Sequence, residues 1–181
     1  MKKFVTFLVS FLIVNSAFTQ KMMTRSGEIK FEASMPAFEE VAATNKTVSC
    51  IFDQSNGDFV ALALIKAFKF KVPLMEEHFN ENYIESSKFP KANFKGKVLN
   101  FDASKLSSTK TIFDLEGDLT IHGITKKVKS KISLSVNAGK VTAISNFNIK
   151  PQDYGIEIPS LVKSKIADNV KLAIDFVLEQ K

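Results

Sequence analysis

The stretch from Thr111 to Val136, TIFDLEGDLTIHGITKKVKSKISLSV, decides the fold. Between Phe113 and Ile121 the odd positions are apolar or glycine, and the even positions are acidic or hydroxyl. After a His-Gly dipeptide the alternation resumes, and its apolar members are Val128, Ile132, Leu134 and Val136. A period of two is typical of a strand that buries one face and exposes the other. The stretch therefore predicts two antiparallel strands joined by a tight turn at His122.

The same period of two recurs along most of the chain. It predicts further strands over residues 27–34, 48–52, 58–65, 67–72, 92–101, 141–149 and 170–178. Residues 74–84 differ, because Met75, Phe79 and Tyr83 recur every four residues, as in one short amphipathic helix. Short strands with a single apolar face predict a sandwich or a barrel. We favour an all-β fold, an up-and-down antiparallel β-barrel of about eight strands, because closure leaves no exposed sheet edge.

The interior of such a barrel is either filled by side chains or wide enough to hold one small ligand. The aromatic residues are 17 Phe, 2 Tyr and no Trp, so the interior is apolar in either case. The segment 151–168 is the longest interruption between strands, and it either covers a barrel mouth or simply connects two strands. The alternation predicts a pore lined by Phe31, Phe52, Phe68, Phe70, Phe94, Phe113, Leu115, Ile132, Leu134, Phe147, Ile174 and Phe176.

The N-terminus has the pattern of an export signal. Lys2 and Lys3 precede the apolar run FVTFLVSFLIV at residues 4–14, and small residues at Ala17 and Thr19 offer a cleavage site. This run is shorter than the roughly 20 apolar residues that span a bilayer, and no second long apolar stretch follows it. The sequence therefore predicts a cleaved signal peptide at 1–19, one domain at 20–181, no transmembrane segment, and a periplasmic or secreted protein.

Charge gives little support to nucleic-acid binding. The formal net charge of +6 includes both lysines of the predicted signal, and no nucleic-acid-binding motif accompanies it. Lys127, Lys129 and Lys131 alternate along one strand. They form either the solvated face of an antiparallel strand or a contact to an anionic lipid headgroup.

Catalytic and metal-binding motifs are also missing from the sequence. It has no Gly-x-Ser-x-Gly, Gly-x-Gly-x-x-Gly or Walker-type motif, and the single Cys50 excludes an internal disulfide. His78 and His122 lie far apart in sequence, on the predicted helix and in the predicted turn. His78 fits a solvated helix face, whereas His122 is either a turn residue with a structural hydrogen bond or a headgroup contact at the barrel rim. We therefore expect no catalytic residue, no metal and no cofactor.

Three motifs give the chain a resemblance to a known family. They are NENYIESSKFPKANFKGK at residues 80–97, LTIHGITK at 119–126, and the pair FNI and DYG at 147–149 and 153–155. In these motifs the chain resembles the YceI-like family of lipocalin-like proteins, also called polyisoprenoid-binding proteins. The resemblance implies an extended up-and-down barrel whose apolar pore binds a long isoprenoid, such as a quinone or polyprenyl lipid, in the periplasm.

The function predicted from the sequence is binding rather than catalysis. The partner is an isoprenoid or similar amphiphilic lipid held in the pore, and the sequence leaves a homodimer open. Two alternatives remain: a structural or partner-binding barrel with a filled core and no ligand, and an enzyme that modifies a lipid. The dependence of binding affinity on the length of the lipid tail would distinguish an open pore from a filled one. An open pore buries each added isoprene unit, whereas a filled one must first displace its own side chains.

Overall fold

The computed structural model describes residues 21–180, so the predicted signal peptide lies outside the described residues. Within this range the chain forms nine strands. Their bounds are β1 Lys21–Ser34, β2 Ala42–Asp53, β3 Asp58–Leu64, β4 Lys69–Phe70, β5 Lys91–Val98, β6 Thr111–Ile121, β7 Ile124–Asn137, β8 Lys140–Ile149 and β9 Ile166–Gln180.

The strands close into an antiparallel barrel. Each main strand pairs with the next one along the chain, and β9 pairs with β1. Eight strands complete the ring, while the two-residue β4 only adds a short pairing to β2. The predicted up-and-down antiparallel barrel of about eight strands is confirmed.

Several strands are longer or shorter than the alternation predicts. β1 begins at Lys21 and β9 at Ile166, because each pairs with neighbours on both sides along most of its length. The predicted strand at 67–72 shrinks to β4, because a 3₁₀ turn at Ile65–Ala67 precedes it and a helix begins at Pro73. Backbone pairing therefore sets the strand ends more than side-chain pattern does.

Two short α-helices complete the described fold. α1 spans Pro73–His78 and continues as a π-helical turn at Phe79–Tyr83, which together cover the predicted amphipathic helix. α2 spans Ser160–Lys163 and lies inside the interruption at 151–168. One helical turn is too short to show a 3.6-residue period, so the sequence pattern does not reveal α2.

The two ends of the barrel differ. We call one end the mouth; its loops are residues 35–41, 65–90, 122–123 and 150–165. The other, the packed end, has loops at 54–57, 99–110 and 138–139. Phe101 and Leu106 from the loop at 99–110 pack against the core there. The half of the barrel next to the mouth is called the open half, and the other is called the packed half.

The outer faces of β6 and β7 carry a ladder of ion pairs. Asp118 pairs with Lys127 at 3.1 Å, Glu116 pairs with Lys129 at 2.7 Å, and Asp114 pairs with Lys131. The three lysines are largely exposed and the three carboxylates are about half exposed, so each pair contributes little to stability. The pairing favours the solvated-face interpretation of the lysine row, because each lysine already has a carboxylate partner.

A candidate binding cavity in the open half

The open half of the barrel contains a cavity of about 370 Å³. Its wall consists almost wholly of hydrocarbon side chains from the inward faces of the strands and from three mouth loops, 35–41, 65–90 and 150–165. The lining includes no carboxylate, and its polar side chains are those of His78, Tyr83, Asn93 and Lys165. The volume lies within the roughly 300–1,000 Å³ of small-molecule sites, and the lining suits an apolar ligand with little polar content.

Eight of the twelve residues predicted to line a pore contribute to this wall. They are Phe31, Phe68, Phe70, Phe94, Leu115, Phe147, Ile174 and Phe176. The other four also face the interior but lie outside the cavity wall, in the core cluster: Phe52, Phe113, Ile132 and Leu134. Alternation identifies the inward face of a strand, but it carries no information on where along the barrel axis the interior is hollow.

The floor of the cavity is formed by two stacked rings. Phe59 and Phe176 lie with their centroids 6.2 Å apart and their planes 11° apart, and both are almost fully buried. Gly27 of β1 makes room for this stack, because a Cβ on Gly27 would lie 2.4 Å from Cδ1 of Phe176. β1 changes register on either side of Gly27, which is the behaviour of a strand that carries a bulge.

Small inward residues create the empty space above this floor. Ala33, Ala61, Ala63 and Ala92 all line the cavity, and none of them reaches far into the barrel. The alternation already predicts that Ala33 and Ala92 face inward, whereas the predicted pore lining contains only large apolar residues and leaves out all four alanines. The signal was present in the alternation itself, since these alanines occupy inward positions of β1, β3 and β5.

A pair of glycines lets Phe94 lie along the wall. Gly96 of β5 faces Gly117 of β6 across the ladder. A Cβ at Gly96 or Gly117 would lie 2.5 or 2.7 Å from Cζ of Phe94, so the ring occupies the space that two side chains would otherwise fill. The ring thus takes up wall surface between two strands that lack side chains at these positions.

The helical segment at the mouth also forms part of the wall. Met75, Phe79, Tyr83 and Ile84 line the cavity. Phe79 anchors the segment, because its ring lies 5.3 Å from that of Phe31 and 5.2 Å from that of Phe70. The four-residue period that predicts the helix therefore also marks the face that covers the cavity.

The interruption at 151–168 crosses the mouth and lines the cavity. Pro151, Ile156, Ile158, Val162 and Ile166 all contribute to the wall. Between a cover and a plain connection, the structure thus favours the cover. The sequence pattern assigns none of these residues to the pore lining, because the segment has no regular period that would show which side faces inward.

His122, in the hairpin turn between β6 and β7, contacts the mouth loops at 65–90 and 150–165. Its Nδ1 lies 3.0 Å from the backbone oxygen of Tyr154, and its Nε2 lies 2.9 Å from Oε2 of Glu85. Both oxygens are acceptors, so the imidazole donates to both when it carries two protons. The ring of Phe89 packs 4.4 Å from the His122 ring. The prediction of a turn residue with a structural hydrogen bond is confirmed, and His122 is not among the residues that line the cavity.

Cys50 has no access to solvent. Its side chain is fully buried in the core, and this burial raises the pKa of the thiol far above its usual range. A neutral, buried thiol is a poor nucleophile. Cys50 is therefore a packing residue in the described structure.

Other kinds of site find no support between residues 21 and 180. In this range no three His, Cys, Asp or Glu side chains come together in a group that could hold a metal ion. No helix described there has both the length and the apolar composition needed to cross a membrane.

Comparison with known proteins places the chain in a family. A family model described as a YceI-like domain matches residues 2–178. No curated protein matches the chain.

Three solved structures have a similar fold. A polyisoprenoid binding domain from Saccharophagus degradans, described as implicated in plant cell wall breakdown, has a TM-score of 0.78 at 13% identity, over 90% of this chain and 99% of that one. Burkholderia cenocepacia BcnA has a TM-score of 0.68 at 15% identity, over 83% and 95%. The Campylobacter jejuni YCEI protein has a TM-score of 0.63 at 19% identity, over 80% and 88%. At these identities the likeness shows a shared fold.

Proposed function

The chain belongs to the YceI-like family, and from this premise we propose that it is a binding protein for an isoprenoid or similar amphiphilic lipid. The apolar tail of the lipid, of the quinone or polyprenyl type, occupies the cavity of the open half. The observation that carries the proposal is a cavity of about 370 Å³ whose wall is almost entirely hydrocarbon. The name of the Saccharophagus degradans domain, a polyisoprenoid binding domain, supports the same ligand class.

The energetics of such a cavity favour a tail that fills it. Each buried CH₂ group contributes about 0.8 kcal/mol, so a few isoprene units provide substantial binding free energy. The space is already open, because alanines rather than large side chains occupy inward positions such as Ala61 and Ala63. Affinity should therefore increase with tail length until the cavity is full.

Binding without catalysis is the better match to the lining. A catalytic triad needs a carboxylate that orients the histidine and stabilises its charged form. The cavity wall has His78, Tyr83 and Lys165 but no carboxylate. A filled barrel without a ligand describes only the packed half, so it is the weaker alternative for the whole chain.

We also propose that the protein acts in the periplasm or outside the cell. The support is the charged and apolar pattern of residues 1–19. Cleavage after Ala17 or Thr19 would leave every described strand intact, because β1 begins at Lys21. N-terminal sequencing of the protein from its native host should return Phe18 or Gln20 as the first residue. A chain that still begins at Met1 would contradict the export proposal.

The binding proposal is tested by a tail-length series. Lipid-stripped protein is titrated with quinones that share one headgroup and differ in the number of isoprene units, and Kd is measured by quenching or calorimetry. Affinity should increase with each added unit and then level off. Organic extraction of the protein purified from its host, followed by mass spectrometry, should return a lipid of the same class. Absence of binding, or equal affinity for every tail, would refute the proposal.

A further inference from the structure

Four large apolar side chains are exposed at the mouth. Met35 is 37% exposed, Phe38 is 46%, Leu74 is 56% and Leu161 is 87%. They lie on three separate segments, the loop at 35–41, α1 and α2, all of which belong to the mouth. We call this set the apolar rim. Single exposed apolar residues are normal on a protein surface, but four around the opening of an apolar cavity point to contact with an apolar phase.

The apolar rim continues the surface of the cavity. In α1, Met75 lines the cavity while its neighbour Leu74 is exposed to solvent. α2 repeats the arrangement, since Val162 lines the cavity and Leu161 is exposed. In α1 and in α2, a cavity-lining residue is thus next to an exposed apolar residue. The apolar surface of the cavity therefore continues to the outside of the barrel on both helices.

Lysines next to Leu161 indicate the kind of phase. Lys163 and Lys165 follow it in sequence, and both are exposed, with Lys165 also bordering the cavity. Neither forms an ion pair with any residue between 21 and 180. Residues 159–165 carry no carboxylate. Apolar side chains beside lysines are typical of segments that lie at the surface of an anionic bilayer.

From this arrangement we propose that the mouth docks on an anionic lipid bilayer, with the apolar rim in the headgroup region and Lys163 and Lys165 near lipid phosphates. The inference rests on the proposed function, because docking lets a lipid tail move between bilayer and cavity without crossing water. Five carboxylates on mouth segments form no ion pair with any residue between 21 and 180 and oppose the attraction: Glu39, Glu77, Glu81, Asp153 and Glu157. Docking is therefore weak, reversible and sensitive to salt.

A second copy of the chain is the less suitable occupant. A stable dimer interface buries roughly 800 Å² on each partner. The apolar rim offers four side chains on separate loops around an opening, which is less than a continuous face of that size. A bilayer adapts its surface to separate side chains, whereas a rigid partner must match them.

The test measures vesicle binding by full-length mature protein. Lipid-stripped protein is floated with vesicles of phosphatidylcholine alone and with vesicles that contain phosphatidylglycerol. We expect binding to the anionic vesicles, several-fold weaker binding to the neutral ones, and loss of the difference in high salt. L161E should lower the partition coefficient by roughly tenfold or more, since it removes a Leu side chain from the bilayer. The double variant K163Q/K165Q should remove this several-fold preference for anionic vesicles, because it removes both cations that follow Leu161.

The matched control is I112E. Ile112 is 69% exposed, but it lies at the start of β6, next to the packed end. This variant should bind vesicles as the unmodified protein does. Equal losses in L161E and I112E would overturn the proposal, and so would a rim-dependent dimer in sedimentation analysis that binds no vesicles.

Quinone titration separates this proposal from the proposed function. L161E should bind a soluble short-chain quinone normally while it fails to bind vesicles. An unmodified protein that binds quinone but not vesicles would overturn the docking proposal alone. An unmodified protein that binds vesicles through the rim but takes up no quinone would support the docking surface and refute the proposed ligand.

Discussion

One barrel contains two halves that differ although the same alternation runs through both. Along β8, Val141 and Ala143 are fully buried, whereas Ile149 near the mouth is only half-buried. β9 shows the same gradient from Leu178 at the packed end to Val170 at the mouth. An inward side chain can therefore either pack in the core or line a cavity. Which of these it does depends on whether the loop at that end of the barrel places its own side chains in the interior.

The packed half is filled by an aromatic cluster that includes a loop residue. Phe101 comes from the loop at 99–110, and its ring lies 5.0 Å from that of Phe52 and 5.6 Å from that of Phe113. At the mouth the loops pass over the opening, and inward alanines such as Ala92 leave space beneath them. We therefore expect the packed half to determine stability and the open half to determine binding.

The largest expected effect is on stability. Phe52→Ala should lower the free energy of unfolding by about 3–5 kcal/mol, because it leaves a void in a close-packed core. Phe147→Ala should cost clearly less, because its ring already borders empty space in the half-buried wall. Urea denaturation of both variants gives the comparison. Equal losses would show that the two halves do not differ in this way.

The next effect is on binding. Ala33→Phe places a ring in the cavity and should weaken lipid binding tenfold or more, while it lowers the free energy of unfolding by less than the roughly 1–3 kcal/mol typical of overpacking. Ala92→Phe should act in the same direction. Ala173→Phe is the matched control, because Ala173 lies on β9 with its side chain exposed. Quinone titration and thermal unfolding are measured on all three variants. If Ala173→Phe binds quinone as weakly as Ala33→Phe does, filling of the cavity is not the cause of the weaker binding.

A smaller effect separates the mouth from the rest of the barrel. His122→Ala removes the contacts to Tyr154 and Glu85, at a cost of about 1–3 kcal/mol. Hydrogen exchange should become faster at 85–89 and 150–156 and stay unchanged in β7 beyond Ile132. His122→Asn is the control for backbone conformation, because φ is +50° there and Asn tolerates that region. Faster exchange throughout the barrel would mean that His122 supports the whole fold rather than the mouth.

The smallest effect is a pH dependence from Cys50. Burial raises the pKa of this thiol in the folded state, so the folded protein keeps it neutral while the unfolded chain ionises above a pKa of about 8.5. The contribution of Cys50 to the free energy of unfolding is then complete below about pH 8.5. Above that pH the free energy of unfolding falls by about 1.4 kcal/mol per pH unit. Cys50→Ala should lack this slope. Urea midpoints at several pH values from 7 to 10 measure it, and parallel slopes in both proteins would exclude Cys50 as the cause.

The sequence predicted the strand faces better than it predicted the cavity. The period of two correctly placed Phe31 and Phe147 in the cavity wall, because side-chain direction is a local property of a strand. It also placed Phe113 and Leu134 inside, but it could not show that they lie in the packed half. Depth along the axis depends on loops from distant parts of the chain. The sequence did not predict α2 or the position of Ile156 in the wall for the same reason. No local pattern marks a segment that folds back over an opening.

The pairing that closes the barrel also constrains how the chain folds. Met22 in β1 lies opposite Gln180 in β9, so the ring joins the two ends of the described chain. Every other neighbouring pair of main strands is consecutive in sequence and can form early as a local hairpin or meander. The β1–β9 seam must wait until the last strand is available, and contacts of such long sequence separation slow folding. Until then β1 and β9 each have an unpaired edge. Such edges can pair with another chain, so aggregation of a folding intermediate is expected to begin at β1 and β9.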